Sequence, residues 1–205
     1  MGVEVTKAFG RIAAAALALA VVAGAPAAAQ NYSDGYLFLK AVKDKDPEKV
    51  NQLVAKSANV VLNIRDQADG EAALHYVTRD REIVWVNFLL TKGARADIQN
   101  YRGETPLSIA TQIGWSEGAE LLLARGASVD LGNQLGETPL MIAVQHRDLP
   151  MVQLLLAHGA NPNKSDRVSG YSALEYARRD PRAAAIVKAL TDKAGPAKSG
   201  AGPKP

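Results

Sequence analysis

Gly103-Glu104-Thr105-Pro106-Leu107 returns, residue for residue, as Gly136-Glu137-Thr138-Pro139-Leu140, 33 positions later. Looser copies stand on either side: Gly70-Glu71-Ala72-Ala73-Leu74 and Gly170-Tyr171-Ser172-Ala173-Leu174. Leu39, in Gly35-Tyr36-Leu37-Phe38-Leu39, fits one more copy upstream. The leucines Leu39, Leu74, Leu107, Leu140 and Leu174 are thus spaced by 35, 33, 33 and 34 residues. A second pattern keeps the same phase: Phe88-Leu89-Leu90-Thr91-Lys92-Gly93-Ala94, Leu121-Leu122-Leu123-Ala124-Arg125-Gly126-Ala127 and Leu154-Leu155-Leu156-Ala157-His158-Gly159-Ala160. Two patterns locked in register mean an array of equivalent units.

Each unit reads as helix, turn, helix. Thr105 and Thr138 are good N-caps, and Pro106 and Pro139 follow at the first helical position, where a missing N–H costs nothing. Leu107 with Ala110, and Leu140 with Ala143, are three apart and share one helical face. Second helices are predicted to start at Asp46-Pro47, near Arg81-Glu82, at Ser116-Glu117, at Asp148 and at Asp180-Pro181. Gly93, Gly126 and Gly159 suit the left-handed position just past a helix. The stretch after each, such as Ala94 to Asn100, should be an extended, hairpin-like loop. A single unit cannot bury its apolar face, so stacking must supply the core.

The pattern resembles the ankyrin repeat, whose first helix opens on T-P-L-H-x-A and whose second carries V-x-x-L-L-x-x-G-A. The matches are Thr105-Pro106-Leu107-Ser108-Ile109-Ala110 and Thr138-Pro139-Leu140-Met141-Ile142-Ala143. The motif's histidine stands only at His75; Ser108, Met141 and Glu175 take its place elsewhere, which implies looser coupling between repeats. The resemblance implies an all-α ankyrin-repeat solenoid of about five helix-turn-helix repeats, and a protein partner held on its concave face.

The repeat domain is placed at residues 30–192, with repeats near 33–66, 67–99, 100–132, 133–166 and 167–192. Residues 193–205, rich in Lys, Gly and Pro without periodicity, are expected to be a disordered tail. Residues 1–29 read as a signal peptide: Lys7 and Arg11, the uncharged run Ile12 to Gly24, and Ala27 and Ala29 before a cleavage point. As a helix that run spans only about 20 Å, against a hydrocarbon core of about 30 Å, so no stable membrane anchor is expected. Within residues 1–29 no adjacent arginine pair points to the twin-arginine route. The expectation is export by the general secretory route to the periplasm, with the mature chain starting near Gln30.

Composition narrows the function. Of 205 residues, 24 are Lys or Arg and 21 Asp or Glu, too small an excess of base to argue for nucleic acid. Aromatics make up 5%, too few for base-stacking platforms. The chain has no cysteine, which removes thiolate metal sites and catalytic thiols. Three histidines remain. His75 occupies the cap-motif position, His146 ends a first helix, and His158 precedes Gly159 at a helix end whose dipole favours positive charge. No spacing joins them into a metal site. Asp66, Asp69 and Glu71 lack the twelve-residue pattern of a calcium loop. Neither a P-loop nor G-x-S-x-G occurs.

The expected function is therefore an exported, non-catalytic interaction module, monomeric and without a cofactor. Two other readings stay open: a hydrolase or sugar-processing enzyme built on a solenoid, and a structural envelope-associated protein using its lysine tail. For the binding face, Glu71, Glu104 and Glu137 each follow the repeat glycine, and Tyr171 takes that place in the fifth unit. Stacked about 10 Å apart, the carboxylates should form an acidic ridge that a basic patch on the partner would meet. Charge at loop tips would equally serve to keep the array soluble. Tyr101, Arg102 and Leu135 add loop-tip anchors, and Arg79, Gln112, His146 and Arg179 lie at the far ends of the first helices.

Overall fold

A computed structural model describes residues 27–194. Ten α-helices follow one another in this stretch: α1 (Ala27–Lys43), α2 (Pro47–Ser57), α3 (Ala73–Arg79), α4 (Ile83–Thr91), α5 (Pro106–Gln112), α6 (Ser116–Ala124), α7 (Pro139–Gln145), α8 (Leu149–Ala157), α9 (Ala173–Arg179) and α10 (Ala184–Ala194). A short 3-10 helix, Ala58–Asn63, follows α2. The helices pair as five hairpins that stack into two layers. One layer holds α1, α3, α5, α7 and α9, and the other is continuous through α4, α6, α8 and α10. This is the all-α repeat solenoid expected from the 33-residue period.

The local chemistry explains the short first helices. Thr105 Oγ1 accepts the N–H of Ser108 at 3.1 Å, and Thr138 Oγ1 that of Met141 at 3.3 Å, with proline at the first turn in both. The second helices α4, α6 and α8 each end in a 6→1 backbone bond, as from Ala127 N–H to Leu122 O at 3.0 Å, with Gly126 at φ +87°. Leu74, Leu107, Leu140 and Leu174, the leucines of the period, are all buried, and so are Leu89, Leu122 and Leu155 of the second helices. Ala110, Ala143 and Ala177 are fully covered, which lets neighbouring hairpins approach closely.

Two seams of hydrogen bonds stitch the hairpins together. On one side, Asn63, Asp97 and Asp130 each accept the backbone N–H of the next repeat, from Arg95, Ser128 and Asn161, at 2.8, 2.8 and 3.0 Å. On the other, the N–H of Tyr101 bonds Asp69 O, that of Gln134 bonds Arg102 O, and that of Arg167 bonds Leu135 O, at 2.8, 3.0 and 2.8 Å. Every loop after the first thus leans on the one before it. The junctions without the motif's histidine carry the same bonds as the one that has it.

The chain departs from expectation at both ends. Asp180-Pro181 does not start the last helix, which begins at Ala184. Asp180 instead accepts the N–H of Arg182 at 3.0 Å and is held by Arg147 Nε at 2.6 Å, so it closes a turn rather than capping a helix. That helix continues to Ala194, two residues past the expected limit at Asp192. At the other end α1 begins at Ala27, so cleavage after Ala29 would leave Gln30–Lys43 of it. The rest of the expected signal segment, residues 1–26, and residues 195–205 of the expected tail lie outside the described residues. Among the described residues no helix is long and apolar enough to cross a membrane.

Candidate partner-binding face

The loops between hairpins share one device, an Asp or Asn whose side chain closes an Asx turn. Asn100 Oδ1 accepts the N–H groups of Arg102 and Glu104, and Asn133 Oδ1 those of Leu135 and Glu137, all at 2.9 to 3.0 Å. Asp66 does the same for Asp69 and Gly70, and Asp166 for Val168, Ser169 and Gly170. The Asp loops are one residue longer than the Asn loops, which accounts for the spacing of 34 and for one of the two extra residues in that of 35. Their carboxylates also accept the hydroxyls of Tyr76 and Tyr176, ten residues on. Burial pushes both carboxyls up, but these hydrogen bonds outweigh it and hold each at about 2.

Glycine permits the loop ladder. Gly70, Gly103 and Gly136 have φ of +74°, +74° and +82°. A Cβ on them would meet the Tyr101 ring, the Gln134 backbone and Arg167, respectively. The next loop therefore lies where a side chain would be.

The three carboxylates do not form an open ridge. Glu71 is 3% exposed and Glu104 is 8% exposed. Arg79, at the end of α3, reaches back over its own helix to pair with Glu71. Gln112 meets Glu104 at 3.2 Å in the same way, and Gln145 meets Glu137 at 3.4 Å. Arg102 closes on Glu104 at 2.8 Å, and Asn100 and Asn133 donate to Glu104 and Glu137 at 2.8 Å. Burial raises the Glu104 carboxyl, but Asn100, Gln112 and Arg102 together bring it below its ordinary range. Arg79 and Gln112 hence clasp the acids opposite them.

The register of that clasp corrects one sequence expectation. The residue eight positions after Glu137 is Gln145, 33 after Gln112; His146, the residue expected there, is the exposed C-cap of α7. In the fifth unit the relation persists with different chemistry. Arg179 stacks over the ring of Tyr171, its guanidinium carbon 4.1 Å from the centroid. Tyr171 in turn meets Tyr176 edge-on at 5.7 Å.

With the acids turned inward, the loop tips present apolar groups. Tyr101 is 52% exposed, Leu135 51% and Val168 74%. Val168 follows its Asx residue by two positions, as Leu135 does, and an alignment of the loops on Asn133 and Asp166 would have found it. His75 serves the scaffold. Its Nδ1 accepts the Ala72 N–H and its Nε2 donates to Glu104 O, both at 3.0 Å. His158 pairs with Glu120 at 3.2 Å on the second-helix layer, away from the loop tips. Among the described residues no three His, Asp or Glu side chains gather as a metal ion would require.

The hairpin stack, the threonine-capped first helices and the loop ladder are the anatomy of one repeat family, and sequence comparison reaches the same place. The family model described as ankyrin repeats (3 copies) matches residues 38–133 and again 117–199. The chain belongs to the ankyrin-repeat family.

Proposed function

We propose that this chain is an exported, monomeric, non-catalytic interaction protein that holds one protein partner on the face formed by its loop tips and first helices. Ankyrin repeats are a protein-interaction fold, and one observation carries the assignment to this face. Tyr101, Leu135 and Val168 stand exposed on three successive loops whose backbones are bonded to one another. A row of apolar groups on a rigid ladder loses little entropy on binding, and its polar surroundings are already satisfied. Arg167 flanks the row and takes part in no ion pair among the described residues, while Glu71 and Glu104 are turned inward and already paired with Arg79 and Arg102. The face therefore suits an apolar, acidic surface better than a basic patch. The non-catalytic reading is supported by what the perturbed groups do: Asp66, Asp166 and His75 are each committed to loop or cap hydrogen bonds.

A photo-crosslinking residue at position 135, in cells expressing the full chain, tests this. One specific protein adduct is expected, and Val168→Asp with Tyr101→Ala should abolish it. A chain that yields no adduct while turning over a small substrate would overturn the reading. Export is checked separately, by the intact mass of the protein from the periplasmic fraction. The expected form begins near Gln30, and a mass retaining residues 1–29 in the membrane fraction would refute it.

A further inference from the structure

The fifth repeat differs from the others by what it lacks. In three preceding units the residue eight positions after the loop position holds a carboxylate of its own chain: Arg79 with Glu71, Gln112 with Glu104, Gln145 with Glu137. In the fifth, Tyr171 stands where the glutamate would be, and its ring supports the guanidinium of Arg179 at 4.1 Å. Stacking uses the flat face of a guanidinium and leaves its in-plane N–H donors free for a carboxylate. The acids near Arg179 make no ion pair with it. Glu175 accepts the N–H and hydroxyl of Ser172 at 2.7 and 2.8 Å, and Asp180 is held by Arg147 and Arg182. Arg167, Arg178 and Arg179 take part in no ion pair among the described residues.

The backbone is open at the same place. Asp69, Arg102 and Leu135, each just before a loop glycine, give their carbonyl to the N–H of the next loop. The equivalent carbonyl, that of Ser169, receives no hydrogen bond among the described residues. Gly70, Gly103 and Gly136 are covered by the following loop, whereas a Cβ on Gly170 would meet nothing within 4 Å. Gly170 nevertheless keeps the same left-handed φ of +70°. The ladder thus ends with an unfilled rung beside a stacked, uncommitted arginine.

We infer that this end of the array takes an acidic, extended segment of the protein partner, whose backbone N–H bonds Ser169 O above Gly170 and whose carboxylate closes on Arg179. The segment continues the loop ladder by one rung and supplies the carboxylate that the other repeats carry themselves. This rests on the partner-binding reading above and names the partner's chemistry. The association is that of strand addition to an open edge, with backbone bonds giving affinity and the charge giving selectivity.

The test uses the mature chain and two fluorescein-labelled peptides, one alternating Glu with Val and one alternating Gln with Val. The Glu peptide is expected to bind about tenfold more tightly, consistent with a charge-assisted hydrogen bond. It should lose that advantage at high salt and shift the carbonyl resonance of Ser169 and the amide of Gly170. Arg179→Gln should remove the preference. Tyr171→Glu is the decisive variant, because it restores the internal carboxylate of the other repeats. It should close the site to the peptide while leaving the thermal midpoint at or above that of the unaltered chain. Equal binding of the two peptides, or a preference that survives Tyr171→Glu, overturns the inference. The two readings fail separately. A crosslinked partner that needs Val168 but not Arg179 defeats only this inference. An acidic peptide that needs Arg179, with no crosslink at position 135, defeats only the loop-tip assignment.

Discussion

His75 ties the cap of its own helix to the loop of the next repeat: its Nδ1 accepts the Ala72 N–H and its Nε2 donates to Glu104 O, both at 3.0 Å. The two bonds fix a neutral tautomer, since Nδ1 must keep its lone pair. Ser108, at the same place in the third repeat, bonds only within its own cap, to Thr105. The second and third repeats are thus joined by a side chain as well as by backbone.

That junction makes stability depend on pH. Burial lowers the His75 pKa below its ordinary value, so the unfolded chain binds the proton first as pH falls through about 6.5. Stability is complete above that pH and declines below it, by at most about 1.4 kcal/mol per pH unit. Urea midpoints at pH 7.5 and 5.5 should show the decline, and His75→Gln should flatten it. Asp66 and Asp166 act in a separate window: held at about 2, they add stability above roughly pH 4 that is lost only at stronger acid.

Breaking the clasp in the second repeat exposes its energetic sense. Glu71 is buried, so Arg79→Ala leaves a carboxylate with its ion-pair partner gone and should cost about 1–3 kcal/mol. Glu71→Gln should cost less, because the amide needs no counter-charge. A double-mutant cycle on urea unfolding measures the coupling, and additive losses would show that the pair contributes nothing.

Gly118 lies within α6, where alanine would ordinarily stabilise the helix by about 1 kcal/mol. Here a Cβ would lie inside the van der Waals surface of the Trp115 indole, which is 7% exposed. Gly118→Ala is therefore expected to destabilise by about 1–3 kcal/mol and to shift tryptophan emission towards the red as the ring is displaced. Combining it with Trp115→Leu should recover most of the loss. A higher thermal midpoint for the single variant would contradict this packing.

The turns between paired helices hold Lys45, Arg81, Gly114 and Arg147 at positive φ, from +56° to +63°. The three basic residues reach the next repeat, Lys45 to Glu82, Arg81 to Ile113 O and Arg147 to Asp180. A left-handed residue with a side chain costs about 1 kcal/mol or more relative to glycine, and an exposed ion pair returns at most about that much. Arg147→Gly should hence be close to neutral in thermal unfolding, whereas Arg147→Ala keeps the strain, loses the pair and should fall about 1 kcal/mol below it. Equal midpoints for the two variants would rule this out.

Helix starts and ends were legible in the sequence because their causes are local. Thr105 and Thr138 cap within three residues, Pro106 and Pro139 preset the first turn, and Gly126 and Gly159 end a helix within one turn. The 33-residue period then determined the stack, because each apolar face needs an equivalent neighbour to cover it. What the side chains do at the loops was decided only by tertiary structure. Glu71 and Glu104 read as surface charge until helix ends and loops fold back on them, and one residue of helical phase separates the clasping Gln145 from the exposed His146. Asp180 had the form of a helix cap, yet Arg147, 33 residues earlier, claims its carboxylate. A cap or a turn answers to its own few neighbours in the chain; the environment of a carboxylate answers to every group that folding brings within reach.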